Sequence, residues 1–160
     1  MEPTGGGLAC LADGTNVTVE DAVVTGNEAG LGGGLASIHC ALTLIGAEVT
    51  ANIARAGGGV FATGSTVNVA RSMVSDNHSN EAGGGIYAQD ASTMTISDST
   101  VSGNTAVLNG GGIQVGGDIF CCENIESSTI TLFASTVSGN VVSGIPGVIA
   151  GEGGGMGADG

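Results

Sequence analysis

The chain has 160 residues and carries 15 acidic against 2 basic side chains, a formal net charge of −13, which argues against nucleic acid and anionic membrane surfaces as partners because phosphate contacts need Lys and Arg in numbers. Gly at 32 residues with Pro at only 2, hydrophobic content of 41% and aromatics of 2% exclude a flexible linker and a core built on bulky side chains, and leave Val, Ile, Leu and Ala to order the chain. No apolar run reaches the roughly 20 residues of a membrane span, so no membrane insertion is expected, and "MEPTGGGLAC" has neither the basic start nor the apolar run of a signal peptide.

Glycine triplets begin at Gly5, Gly32, Gly57, Gly83, Gly110 and Gly153, in steps of 27, 25, 26, 27 and 43 residues. After the first triplet come Leu8 and Cys10, one residue apart, then "NVTV" at 16–19, then Val24 three residues before Asn27. The second repeat gives Leu35 and Ser37, "ALTL" at 41–44, Val49 and Asn52. The third gives Val60 and Ala62, "TVNV" at 66–69, Val74 and Asn77. The fourth gives Ile86 and Ala88, "TMTI" at 93–96, Val101 and Asn104, and the fifth Ile113 and Val115, "TITL" at 129–132, Val137 and Asn140. A period of two in each segment predicts a strand. Three short strands per repeat of about 26 residues, with no helical periodicity, describe a parallel β-helix whose coils stack roughly 4.8 Å apart.

Each recurrent residue has a role in such a coil. Asn offers both donor and acceptor, so Asn27, Asn52, Asn77, Asn104 and Asn140 can form a ladder that bonds to itself and to turn backbone. The glycines mark another corner, where φ or close approach excludes a Cβ. They are not phosphate loops, since no Lys-Ser/Thr follows them. The outward middle-strand columns hold Thr18, Thr43, Thr66, Thr93, Thr95, Thr129 and Thr131, seven Thr in ten places, a flat array similar to the ice-binding face of β-solenoid antifreeze proteins and equally the composition of an ordinary solvent-facing strand.

Val-x-x-Asn followed after a short spacer by GGG and an aliphatic residue resembles the paired FxxN and GGA[ILV] repeats of polymorphic outer-membrane proteins, the adhesin-type autotransporter passengers, with Val in place of Phe and Gly in place of Ala. The resemblance spans Gly5 to Met156. It implies an all-β, right-handed parallel β-helix (solenoid) of about five to six coils, and an extracellular or cell-surface location with an adhesive or structural role. Residues 1–160 then form one repeat domain with insertion loops at 116–128 and 141–152. The expected partners are the chain itself, end to end, or further coils of a longer chain, with a surface receptor or glycan as ligand.

The second reading is a binding module for ice or carbohydrate, acting through the Thr face or the coil-five loops, where Asp118, Phe120, Cys121, Cys122, Glu123 and Glu126 are the candidate side chains. A polysaccharide lyase or hydrolase comes third. Only Arg55 and Arg71 could assist a lyase, and Arg71 shares a column with Asp21 and Asp98, so a surface ion pair with Asp98 is the simpler account. Asp76, Asp90 and Asp98 are the carboxylates for a glycosidase, but a sugar cleft without Trp and with one Tyr is poorly furnished. No enzyme is expected.

His39 and His78 lie in different phases of the repeat and read as solvated turn residues. Cys10 sits in a small inward position and reads first as a buried thiol; a bond to Cys40 depends on how the turn bends. Cys121 and Cys122 are adjacent and remain open between a vicinal disulfide, a soft-metal pair and two loop thiols. No cofactor is implied: the acidic excess could attract Ca2+, but no GGxGxDxUx nonapeptide is present.

Overall fold

The computed structural model describes residues 3–116, 127–144 and 154–158. They form a parallel β-solenoid of about four turns, all strand and turn. Four sheets run along it, one strand per coil in each. Sheet I stacks β1 (Leu8–Cys10), β5 (Leu35–Ile38), β9 (Val60–Thr63), β13 (Ile86–Gln89), β17 (Ile113–Val115) and β21 (Met156–Ala158). Sheet II stacks β2 (Asn16–Glu20), β6 (Ala41–Ile45), β10 (Thr66–Ala70), β14 (Thr93–Ser97) and β18 (Thr129–Phe133). Sheet III stacks β3 (Val23–Thr25), β7 (Glu48–Thr50), β11 (Met73–Ser75), β15 (Thr100–Ser102) and β19 (Thr136–Ser138), and sheet IV stacks β4 (Glu28–Leu31), β8 (Ile53–Ala56), β12 (His78–Ser79), β16 (Thr105–Ala106) and β20 (Val141–Val142).

Two expectations change. The coil has four strands rather than three, because the segment after each Asn also pairs in parallel with its equivalents, as in Glu28↔Ile53 and His78↔Thr105. Its second position is a buried column of small residues, Ala29, Ala54, Ser79 and Ala106, whose low hydrophobicity left no alternation to read. The five to six coils counted from glycine triplets become about four turns, since the sixth triplet contributes only β21 and five strands in a sheet are separated by four steps.

Each coil bends at four corners, and each corner holds a residue in the left-handed region. In the third coil these are Gly64 (φ 57°), Arg71 (49°), Asp76 (54°) and Gly83 (64°). That conformation costs an L-residue roughly 1–2 kcal/mol, less for Asp, which accounts for Asp21, Asp76, Asp90 and Asp98 all falling at corners.

Strand alternation fills the interior with aliphatic layers. Leu35, Val60, Ile86 and Ile113 stack from sheet I, Leu42, Val67 and Met94 with Leu44, Val69 and Ile96 from sheet II, and Val49, Val74 and Val101 from sheet III, all buried in one cluster. In the outer coils the equivalent side chains are half-buried: Val17, Val19 and Val24 at one end, Ile130, Leu132 and Val137 at the other. A second cluster, unforeseen in the sequence, joins Phe61 and Tyr87, ring centroids 5.7 Å apart and edge to face, with Ala56.

The expected insertion at 141–152 begins later: Val141 and Val142 belong to sheet IV, and Ser143 and Gly144 continue its hydrogen bonding to Ala106 and Val107. The remainder, 145–152, lies outside the described residues. Of the insertion at 116–128, residues 117–126 also do, while Ser128 returns to the repeat by accepting from the Ser92 N–H at 3.1 Å.

Candidate functional site: corner ladders and the threonine face

The corner between sheets III and IV is built on asparagine. At each step the backbone N–H and Nδ2 of one Asn both donate to Oδ1 of the Asn in the next coil. Asn52 reaches Asn77 at 3.0 Å through both groups, and Asn104 reaches Asn140 at 2.9 Å through both. The second Nδ2 hydrogen goes back one coil to a valine carbonyl: Asn77 to Val49, Asn104 to Val74 and Asn140 to Val101, each at 2.9 Å. Asn27 makes the same forward bonds to Asn52 but turns to its own Thr25 carbonyl, there being no earlier valine. The recurrent Val and Asn therefore belong to one device: Val supplies a core side chain and an acceptor, and Asn closes the corner.

Two further ladders escaped the sequence reading. Between sheets I and II the Cys40 N–H donates to Ser65 Oγ, the Ser65 N–H to Ser92 Oγ and the Ser92 N–H to Ser128 Oγ. Between sheets II and III the Ala47 N–H donates to Ser72 Oγ, Ser72 to Ser99 and Ser99 to Ser135. The hydroxyls of Ser65, Ser72, Ser92, Ser99 and Ser135 return their hydrogens to local backbone, as Ser72 does to Ala70 and Ser99 to Ser97. The signal was present in "GST", "AST", "SST" and in "RSMVS", "DSTVS", "ASTVS", but a small hydroxyl before a strand is too common in turns to stand out.

The fourth corner is the glycine triplet, and its three members differ. Gly57 has φ 64°. A Cβ on Gly58 would lie against the carbonyl oxygens of Gly84 and His78, and one on Gly59 against the Asn77 amide at 2.9 Å and the Val74 side chain at 3.0 Å. The glycines thus give the asparagine ladder room as well as turning the chain.

Cys10 and Cys40 are joined as a disulfide, Cα atoms 6.2 Å apart, where a buried thiol was the first expectation. The corner after β5 folds Cys40 back beneath Cys10, whose column continues through Ser37 and Ala62. The expected Arg71–Asp98 ion pair is not formed: these residues stack at one corner, the Arg71 N–H donating to the Ser97 carbonyl, and among the described residues an ion pair joins Arg55 to Glu81 at 3.6 Å. His39 is an exposed corner residue (φ 54°) as expected; His78 instead lies half-buried in β12, its Nε2 3.2 Å from Asn80 Oδ1. Asp76, Asp90 and Asp98 occupy three different corners and do not converge. No cluster of three metal-binding side chains occurs among the described residues. A shallow cavity of 610 Å³ on sheet IV is lined by Glu28, Ala54, Arg55 and Glu81 among others.

Sheet II carries the threonines. Its strands are in register, so Thr66, Thr93 and Thr129 form one outward column after Ala41, and Thr18, Thr43, Asn68, Thr95 and Thr131 form the next. Thr66, Thr93, Thr95, Thr129 and Thr131 are exposed. Neither column contains a charged residue, in a chain of formal charge −13. Asp118, Phe120, Cys121, Cys122, Glu123 and Glu126 lie outside the described residues.

No family model matches the chain, and no curated protein or solved structure does either. The class is defined by the fold itself: a parallel β-solenoid repeat protein.

Proposed function

We propose that the chain is a structural and adhesive β-solenoid of the extracellular space or a cell surface, in the manner of the polymorphic outer-membrane protein repeats it resembles. The Cys10–Cys40 disulfide carries the compartment, because such bonds persist where the surroundings are oxidising. The three polar ladders support the structural role: from the second coil on, all three tie each coil to the next, and the asparagine ladder also ties the first coil to the second, so the molecule resists bending and presents its faces at fixed spacing. No catalytic role is assigned, since the carboxylates stand at separate corners. The test is export with and without a surface anchor, followed by thiol counting and adhesion of protein-coated beads to cells and to a glycan array. A disulfide in the exported protein together with saturable adhesion supports the proposal; free thiols and no adhesion on any surface overturn it.

A second reading rests on the sheet II register: a neutral, periodic hydroxyl array on an acidic molecule is a surface for an ordered, uncharged ligand, either ice or a polysaccharide. Thermal hysteresis separates the first and the glycan array the second.

A further inference from the structure

The corner ladders have a direction. Along the asparagine column, every donor points toward the following coil and every Oδ1 accepts from the preceding one. Among the described residues, Asn27 Oδ1 at the first coil has no donor, and the Asn140 backbone N–H and one Nδ2 hydrogen at the last have no acceptor. Over the described residues the ladder thus begins on an acceptor and ends on donors, and the two fit each other. The serine column between sheets II and III ends in the same sense, the Ser135 N–H having no acceptor among the described residues.

Packing points the same way. Continued by one step, the register of sheet II sets Ile130 beside Val17 and Leu132 beside Val19, and that of sheet III sets Val137 beside Val24. These six inward side chains are half-buried, whereas their equivalents in the middle coils are fully buried. Joining the ends would bury both sets and complete both sheets.

From this we infer that two copies of the chain dock head to tail, β18, β19 and β20 of one laid in parallel register on β2, β3 and β4 of the other, with Asn140 donating to Asn27 of the second copy. This deepens, and rests on, the structural role proposed above. The interface is heterologous, so it repeats into open fibres rather than closing as a dimer.

One strand must yield. β21 rests on β17 with Met156 in the column of Leu8 and Ile113, the place the incoming β1 would take. β1 is held to the second coil by the Cys10–Cys40 bond. β21 has three residues, and Met156 is 53% exposed where Ile113 is 0%. β21 is therefore the strand displaced, and it acts as a weak competitor of the association.

The register supplies a specific test. Phe133, 67% exposed at the end of β18, continues the outward column of Glu20, Ile45, Ala70 and Ser97, so in the fibre it lies opposite Glu20 of the next copy. Sedimentation and light scattering of the full chain, at ionic strength of about 0.15 M and above, should show mass rising above 15.2 kDa with concentration. Phe133→Glu should weaken association roughly fivefold through like charges directly opposed, and adding Glu20→Lys should restore it, with the melting temperature unchanged in both. Met156→Ser, which loosens β21 without adding charge, should strengthen association. A mass of 15.2 kDa at every concentration, or association indifferent to Phe133→Glu or not restored by the charge swap, overturns the interface. A Met156→Ser variant that associates no better overturns the exchange of β21. A strictly monomeric protein that still adheres to cells would sink this interface and leave the proposed function standing.

Discussion

Asn77 and Asn104, one coil apart, share a single acceptor: the backbone N–H and Nδ2 of Asn77 both lie 3.0 Å from Asn104 Oδ1. Asn77 in turn accepts the same pair from Asn52 and donates to the Val49 carbonyl. Replacing it by Ala would leave two donors of Asn52, the Val49 carbonyl and the Asn104 oxygen short of a partner in a buried corner. At about 1–3 kcal/mol for each such group left unsatisfied, Asn77→Ala should cost at least about 3 kcal/mol and lower the melting temperature by roughly 6–12 °C. Asn68→Ala, on the exposed face of β10, should move it little. Equal small shifts in calorimetry would remove the ladder from the account of stability.

The corners separate two kinds of backbone position. At Gly58 a Cβ would meet two carbonyl oxygens of the next coil, those of Gly84 and His78, so Gly58→Ala must force the coils apart and should prevent a native fold or lower its stability by several kcal/mol, on the order of an overpacked core. Ala51 is the converse case: it is exposed, sits at φ 55° and has Gly26, Gly103 and Gly139 at the equivalent corner of other coils. Ala51→Gly should stabilise by about 0.5–1 kcal/mol by relieving left-handed strain. Urea midpoints of the two variants should move in opposite directions.

Cys40 occupies the column of Ser65, Ser92 and Ser128, so serine there restores the residue that the other coils use. The Cys10→Ser/Cys40→Ser variant should therefore lose the cross-link and little else. A loop of 30 residues gives about 3–4 kcal/mol in the chain-entropy model. Because the bond joins only β1 to the second coil, the loss should appear as early hydrogen exchange in residues 8–31 rather than as a uniform drop. Wild-type protein under reductant should reproduce the variant; unchanged exchange in the first coil would show that the bond contributes nothing there.

What was legible in the sequence was whatever repeats with a distinctive residue. Val24 and its equivalents, the Asn column and the glycine triplets recur at fixed phase, and the alternation of "TMTI" and its relatives sets sheet II and its faces without ambiguity. What was missed has a common physical origin. Serine serves so many turns that Ser72, Ser99 and Ser135 carry no signal until a coil places each above the next. Sheet IV packs Ala29, Ala54, Ser79 and Ala106, small residues without β-strand preference, so its strands arise from stacking rather than from local propensity. Phe61 and Tyr87 stand between Val60 and Ala62 and between Ile86 and Ala88, where a period of two turns a side chain away from the central core, yet both are buried against Ala56. The Cys10–Cys40 bond depended on the angle of one corner, which only the left-handed His39 preceding Cys40 fixes.

The threonine face yields the prediction that separates the two readings of function. Parallel strands repeat about every 4.8 Å and same-face residues about every 6.6 Å, so the hydroxyls and methyls of Thr66, Thr93 and Thr129 beside Thr95 and Thr131 form a two-dimensional grid with Asn68 at the remaining corner. Rigidity comes from below: the inward residues Val67, Val69, Met94 and Ile96 are buried in the central cluster, and Ile130 packs half-buried against it. A ligand that reads the grid must span several cells, so interruption at one central point should be enough to abolish binding. Thr95 is that point, flanked in its column by Asn68 and Thr131. Thr95→Lys places a long cation on an exposed position, where a surface substitution changes stability by no more than about 0.5 kcal/mol, and should eliminate thermal hysteresis or polysaccharide binding while the melting temperature holds. Thr100→Lys, on the neighbouring sheet III, should leave binding intact. Should Thr95→Lys bind as the wild type does, in an assay where the wild type binds, the grid is only a well-solvated strand surface and adhesion must be sought elsewhere on the solenoid.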